Sequence, residues 1–188
     1  LLDFNEKVEQ WQNRVLSLKK WNPEQNWPDV TTSTLLITND EWLAPYLDHV
    51  KKPEDLKKLD LVNILQHSLE FDKQQLLDDL APLKIEVPSG SNIKLLYRDN
   101  GEPPFLSVRL QECFGLEDTP KINGGKTSVL MQLLSPGFKP VQITGDLKSF
   151  WSNAYFEVKK DLKRRYPKHH WPDDPWTAEA VRGVKRKN

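Results

Sequence analysis

The hydrophobic period of this chain changes once, near Lys84, and the two sides of that change cannot share one kind of secondary structure. Ahead of it, Phe4, Val8, Trp11, Val15 and Leu18 recur at steps of three and four, the spacing of an amphipathic helix that ends near Lys19-Lys20. Asn22-Pro23 and Trp27-Pro28-Asp29 interrupt it. A second helix is predicted through Leu35-Leu36, Trp42-Leu43 and Tyr46-Leu47, bent at Pro45. Leu56, Leu59, Leu61, Val62, Leu65 and Leu69 form a further stripe, and Leu76-Leu77 with Leu80 another that stops before Pro82. Residues 1–82 therefore read as a helical subdomain.

From Lys84 the pattern alternates. Lys84–Val87 and Ile93–Tyr97, separated by Pro88-Ser89-Gly90-Ser91-Asn92, predict a β-hairpin. A second hairpin is expected from residues 128–134 and 139–144 around Ser135-Pro136-Gly137-Phe138. Residues 105–116 are read as a short helix ended by Gly115. A long helix is expected from a cap at Asp146 to about Tyr166, with Leu147, Phe150, Trp151, Ala154, Val158 and Leu162 on its apolar face. The fold class is α+β: a helical unit, then a small antiparallel sheet or partly closed barrel with a long C-terminal helix. Residues 83–176 form this β-rich subdomain, and residues 177–188 are expected to be a basic, disordered tail.

Charge follows the same division. The total is neutral, with 27 basic and 27 acidic residues. Residues 1–80 hold fifteen acids against nine bases, and residues 81–188 hold eighteen bases against twelve acids, a split of −6 and +6. The basic half is where a polyanion would be expected to bind; the alternative is that the acidic and basic halves dock on each other. No apolar run reaches the ~20 residues of a membrane span, and Leu1-Leu2-Asp3-Phe4 lacks the basic start of a secretory signal. The single cysteine, Cys113, sits among apolar residues and reads as a buried structural thiol in a reducing, cytoplasmic setting. Because the chain opens without Met in what reads as a helical phrase, the natural N-terminus is expected to lie upstream.

No self-contained catalytic centre emerges. Asn123-Gly124-Gly125-Lys126-Thr127-Ser128 resembles the end of a phosphate-binding loop, but Pro120 stands where that motif requires its first glycine. His169-His170 with Asp173-Asp174 has adjacent histidines that point apart, which suits a loop better than a metal site. Asp78-Asp79 is a solvated pair without a feature that would raise a carboxyl pKa. Metal ligands and catalytic residues are therefore both assigned as none. The candidate nucleic-acid contacts are Lys159, Lys160, Lys163, Arg164 and Lys168, on or just after the last helix, helped by Arg109, Lys121 and Lys126.

Several ordered phrases carry a family resemblance. Glu41–Leu47 (EWLAPYL), Leu56–Leu61 (LKKLDL), Val87–Ser91 (VPSGS), Leu106–Leu116 (LSVRLQECFGL), Leu133–Pro136 (LLSP), Pro140–Leu147 (PVQITGDL), Phe150-Trp151 and Arg165–Pro175 (RYPKHHWPDDP) resemble the C-terminal region of bacterial HrpB helicases. The match runs in order over roughly residues 1–176. HrpB proteins are similar to the DEAH/RHA group of ATP-dependent RNA helicases. The resemblance implies an accessory domain behind an upstream motor that binds ATP and Mg²⁺. RNA or another single-stranded nucleic acid, and the upstream core domains, are its implied partners. A Walker A loop and a DEAH-type box are absent from these residues, so no family catalytic residue maps here and no cofactor is assigned to the chain itself. The alternative reading is a docking scaffold for the helicase core. Exposure of Trp42, Trp151 and Trp171 as a patch would favour docking, and their burial the electrostatic account.

Overall fold

A computed structural model describes residues 2–184. The chain folds as two compact units, one of residues 2–81 with Tyr97–Glu102, the other of Pro82–Leu96 with residues 103–184.

In the first unit, α1 (Glu6–Trp21) starts where the Asn5 side chain accepts the amides of Lys7 and Val8 at 3.1 and 3.2 Å. This satisfies two of the donors that a helix start leaves unpaired. Val8, Trp11, Val15 and Leu18 are buried along it, as the spacing requires. The expected helix over residues 35–47 is instead three short pieces: α2 (Thr32–Ile37), α3 (Asn39–Trp42) and a 3₁₀ turn, Ala44–Tyr46. Thr38 and Asn39 divert their side chains to the Thr34 and Leu36 carbonyls, and Pro45 removes an amide. α4 (Leu61–Ser68), capped by Asp60, and α5 (Phe71–Leu80) complete the helices. Tyr97–Glu102 joins this unit although residue 97 lies beyond the change of period. Gln10 pairs with Tyr97 in both directions, its amide donating to the Tyr97 carbonyl at 2.9 Å and its oxygen accepting the Tyr97 amide at 2.8 Å.

The second unit is built on a five-stranded sheet in the order β1-β2-β3-β6-β7, formed by Lys84–Glu86, Asn92–Leu96, Phe105–Arg109, Leu130–Leu134 and Pro140–Thr144. Both expected hairpins are present, β1 with β2 and β6 with β7. The sheet is mixed and open: β3 pairs parallel to β6, and β1 and β7 are its edges, so no barrel closes. Parallel pairing needs a crossover. Here it carries a two-stranded ribbon, β4 (Lys121–Ile122) with β5 (Thr127–Ser128).

Two expectations fail in this unit. Residues 105–116 are strand β3 followed by a 3₁₀ turn, Leu110–Cys113, not a helix. Leu106, Val108 and Leu110 are buried at a period of two, and the turn residues behind them had blurred that alternation. The long C-terminal helix is broken into α6 (Leu147–Ser152) and α7 (Tyr155–Arg165). Asp146 does cap its start, accepting the Ser149 amide at 2.9 Å. Asn153 then leaves helical geometry (φ −127°, ψ −81°), which lets Trp151 and Tyr155 both enter the core. Trp151 touches the rings of Phe114, Phe150 and Tyr155 at centroid distances of 5.3 to 6.0 Å. Cys113 is fully buried in the same unit, and burial pushes its thiol pKa up.

The described part of the expected disordered tail has partners. The Val181 amide donates to the Gln111 carbonyl at 3.1 Å, and the Gln111 side-chain amide donates to the Arg182 carbonyl at 3.4 Å. The basic tip, Lys185 to Asn188, lies outside the described residues.

Candidate nucleic-acid interface

α7 reads YFEVKKDLKRR, five bases against two acids. Tyr155 and Leu162 face inward, and the Tyr155 hydroxyl donates to the Pro172 carbonyl at 2.6 Å. That bond lays the segment from Trp171 to Pro175 against the helix and decides the fate of the nearest lysine. Lys159 is ion-paired with Asp173, its side chain only 14% exposed. The Lys159 ammonium holds the Asp173 carboxyl below its ordinary pKa. Lys160 pairs with Glu157 at 3.1 Å, and Arg164 with Asp161 at 2.8 Å, the latter shared with Arg165 at 3.3 Å. Hydrogen bonds from both arginines depress the Asp161 pKa.

Lys163 and Lys168 are exposed, and neither lies within 4 Å of a carboxylate among the described residues. The expected cluster is thus one lysine turned onto a neighbouring strap, two cations in exposed pairs with neighbouring acids, and two without a salt bridge among the described residues, of which Lys163 acts on Asp173 only through its longer-range charge. Solvated pairs hold their partners weakly, so the helix keeps its positive excess.

Arg109, Lys121 and Lys126 lie elsewhere in the unit. Lys121 and Lys126 are exposed on the β4–β5 ribbon, whose turn is built by Asn123, Gly124 and Gly125 at positive φ. The Gly125 and Lys126 amides donate back to Ile122 and Asn123 at 3.1 and 3.2 Å. Those amides close a hairpin, so this turn does not fit a nucleotide phosphate.

Arg109 ends β3. Its Nε donates to Glu112 at 3.2 Å, and its guanidinium carbon lies 4.7 Å from the centroid of the Phe138 ring. Glu112 is 3% exposed and also accepts the hydroxyls of Ser89 and Ser91 at 2.9 and 2.6 Å. Sequence reasoning missed Glu112, both serines and Phe138. The three-residue step from Arg109 to Glu112 was legible as an ion-pair spacing, but the serines lie 21 and 23 positions away and only the fold brings them in. His169 stands near Arg109, and burial and that charge together lower its pKa.

Trp42, Trp151 and Trp171 are buried, at 6%, 0% and 7% exposure, so they form no docking patch. Their indole N–H groups end on the carbonyls of Leu35, Leu116 and Tyr166. Among the described residues no three His, Cys, Asp or Glu side chains gather as a metal set, and no helix is long and apolar enough to cross a membrane.

Comparison with known proteins gives this arrangement a family. The profile of the ATP-dependent helicase C-terminal family matches residues 42–175. The ATP-dependent RNA helicase HrpB of Escherichia coli (strain K12) is 41% identical over 186 residues, covering 99% of this chain and 23% of that protein. The crystal structure of the E. coli DExH-box NTPase HrpB superposes with a TM-score of 0.91 at 41% identity, over 98% of this chain and 22% of that one. A crystal structure of the E. coli DEAH/RHA helicase HrpB gives 0.77 at 40% identity, over 90% and 21%. The chain thus spans about a quarter of the length of these relatives. The match over residues 42–175 and the mixed-sheet fold lead to one assignment: the chain belongs to the ATP-dependent helicase C-terminal family of HrpB proteins.

Proposed function

We propose that this chain is an accessory domain that contributes single-stranded RNA binding to an HrpB-type, ATP-dependent helicase acting in the cytoplasm. The motor, with its ATP and Mg²⁺, lies in core domains outside these residues. The observation that carries the reading is the outer side of α7, where Lys163 and the following Lys168 are exposed and make no salt bridge among the described residues, and Lys160 and Arg164 keep only solvated partners. Phosphate oxygens can replace such partners, and each phosphate neutralised releases counterions, which ties affinity to salt. Burial of the three tryptophans also favours charge over apolar docking as the mode of contact.

The test is fluorescence anisotropy of the chain with a labelled single-stranded RNA at ~50 and ~200 mM salt. Binding should weaken steeply between the two. Replacing Lys163 and Lys168 together by Glu should weaken it further and reduce the salt slope by about two, one per lost phosphate contact. Absence of binding at the lower salt would overturn the reading.

One observation favours docking on the helicase core as a second role. The helical unit has a cavity of about 440 Å³ lined by Leu35, Trp42, Pro45, Tyr46, Ile64 and others. Ile37, 81% exposed, and Leu36, 49% exposed, stand on the α2 helix that contributes Leu35 to it. Ile37→Glu should weaken capture of separately prepared parental core domains by this chain; unchanged capture would remove this role.

A further inference from the structure

The turn between β6 and β7 holds an aromatic ring where a ring is costly to hold. Phe138 has φ +63°, in the left-handed region that bulky side chains avoid, and the residue is 64% exposed. It therefore contributes little core burial to offset that backbone. Strain of this kind persists where the surroundings over-determine the conformation. They do so here on three sides. The Ser135 amide donates to the Lys139 carbonyl at 2.7 Å, the Phe138 amide to Ser135 at 2.9 Å, and the Lys139 amide to the Ser135 hydroxyl at 3.1 Å. Ser135 is fully buried, with its hydroxyl 3.3 Å from that of Tyr166. A Cβ on Gly137 would come within 2.7 Å of the same Tyr166 oxygen, so the loop is seated tightly against the residue that follows α7.

The ring is also backed by charge. The Arg109 guanidinium lies over the ring at 4.7 Å, and Glu112, fixed by the hydroxyls of Ser89 and Ser91, holds that arginine in place. With one face over the guanidinium, the exposed part of the ring is free for a second planar partner. Lys139, next in the chain, is exposed beside it. A flat apolar face joined to an anion is what an unpaired nucleotide presents: the base stacks on the ring and its phosphate meets the exposed lysine.

We propose that Phe138, backed on one face by Arg109, is a stacking platform for one unpaired base of single-stranded RNA, with the exposed Lys139 as the cation for the adjoining phosphate. The proposal rests on the RNA-binding reading above and adds to the α7 cations a contact that depends on the base. An exposed ring in a cationic setting could also meet a protein surface, and the test separates the two.

Phe138→Gly removes the ring at a backbone position that glycine adopts freely, so the turn is kept; Phe138→Tyr keeps the ring. Each variant of the 188-residue chain would be titrated with a labelled oligoribonucleotide, with its abasic ribose-phosphate counterpart, and with the same RNA carrying 2-aminopurine. Stacking on one aromatic side chain predicts that Phe138→Gly binds the RNA roughly 5- to 100-fold more weakly, with its salt slope nearly unchanged, and that Phe138→Tyr stays within about twofold. Wild-type protein should prefer the base-bearing RNA over the abasic strand by a similar factor, Phe138→Gly should lose that preference, and 2-aminopurine emission should be quenched only when the ring is present. If wild-type protein binds RNA but Phe138→Gly binds equally well with the quench intact, the platform is overturned and the α7 reading stands. If wild-type protein binds no RNA at low salt, both fall, and the exposed ring is left as a protein contact.

Discussion

Arg109 and Glu112 form an ion pair in which the acid is the more buried partner, with side chains 19% and 4% exposed and 3.2 Å between Nε and the carboxylate. The other carboxylate oxygen takes both serine hydroxyls, so four residues from two sequence regions share one buried charge. Breaking a buried pair from one side leaves polar groups without compensation. Glu112→Ala should destabilise the chain by about 3 kcal/mol. Glu112→Gln, which keeps an oxygen for the serines, should cost about half as much. Urea unfolding followed by tryptophan fluorescence measures both, and a loss below ~1 kcal/mol for Glu112→Ala, the level of a surface pair, would show that the pair is not structural.

Arg14 gives the helical unit an asymmetric counterpart. It is 4% exposed, and its Nε donates to the Ala81 carbonyl at 2.8 Å while a terminal nitrogen reaches Asp78 at the same distance. The Asp78 side chain is 65% exposed, so water replaces it readily. Arg14→Ala should therefore destabilise by about 3 kcal/mol, through the lost stem packing and the stranded carbonyl, against less than about 1 kcal/mol for Asp78→Ala. Equal effects in urea unfolding would mean that the ion pair, and not the buried bond to Ala81, anchors the end of α5.

Where one element repeated a single period, the sequence was legible. α1 and both hairpins could be read because apolar spacing and turn residues agree within each segment. Residues 105–116 misled because a five-residue strand and a 3₁₀ turn share one apolar run, and period cannot separate them over so short a span. The break at Asn153 was hidden because Phe150, Trp151 and Ala154 keep helical spacing across it. Site residues divide in the same way. The basic character of α7 is written in consecutive positions, whereas the capture of Lys159 by Asp173 depends on a loop that returns fourteen residues later. The parallel pairing of β3 with β6 has no local signal at all.

The Phe138 backbone predicts an inverted order of stabilities. A non-glycine residue at positive φ costs ~1 kcal/mol or more, and the cation–π contact with Arg109 returns about half that at an exposed site. Phe138→Ala loses the contact and keeps the strain, while Phe138→Gly loses both. The glycine variant should be more stable than the alanine variant by about 1 kcal/mol, although glycine is the more flexible residue in the unfolded chain. Thermal unfolding of the two variants decides it, and an alanine variant at least as stable as the glycine one would mean that the turn relaxes away from φ +63°.

His169 gives the fold a pH dependence with a definite sign. Its Nδ1 is buried without a hydrogen-bond partner among the described residues, and desolvation, then the Arg109 charge, lowers its pKa from the ordinary 6.5. A histidine whose pKa is lower folded than unfolded binds its proton more readily in the unfolded chain. Its contribution to stability is therefore fully present above about pH 6.5 and is lost progressively as the pH falls through the folded value. Unfolding free energy should fall between about pH 7.5 and pH 5, and His169→Gln, which cannot titrate, should flatten that fall at the same ionic strength. Arg109→Met offers the complementary measurement. Without the guanidinium, the His169 pKa read by NMR should move up toward 6.5, and an unmoved value would leave burial as the whole cause.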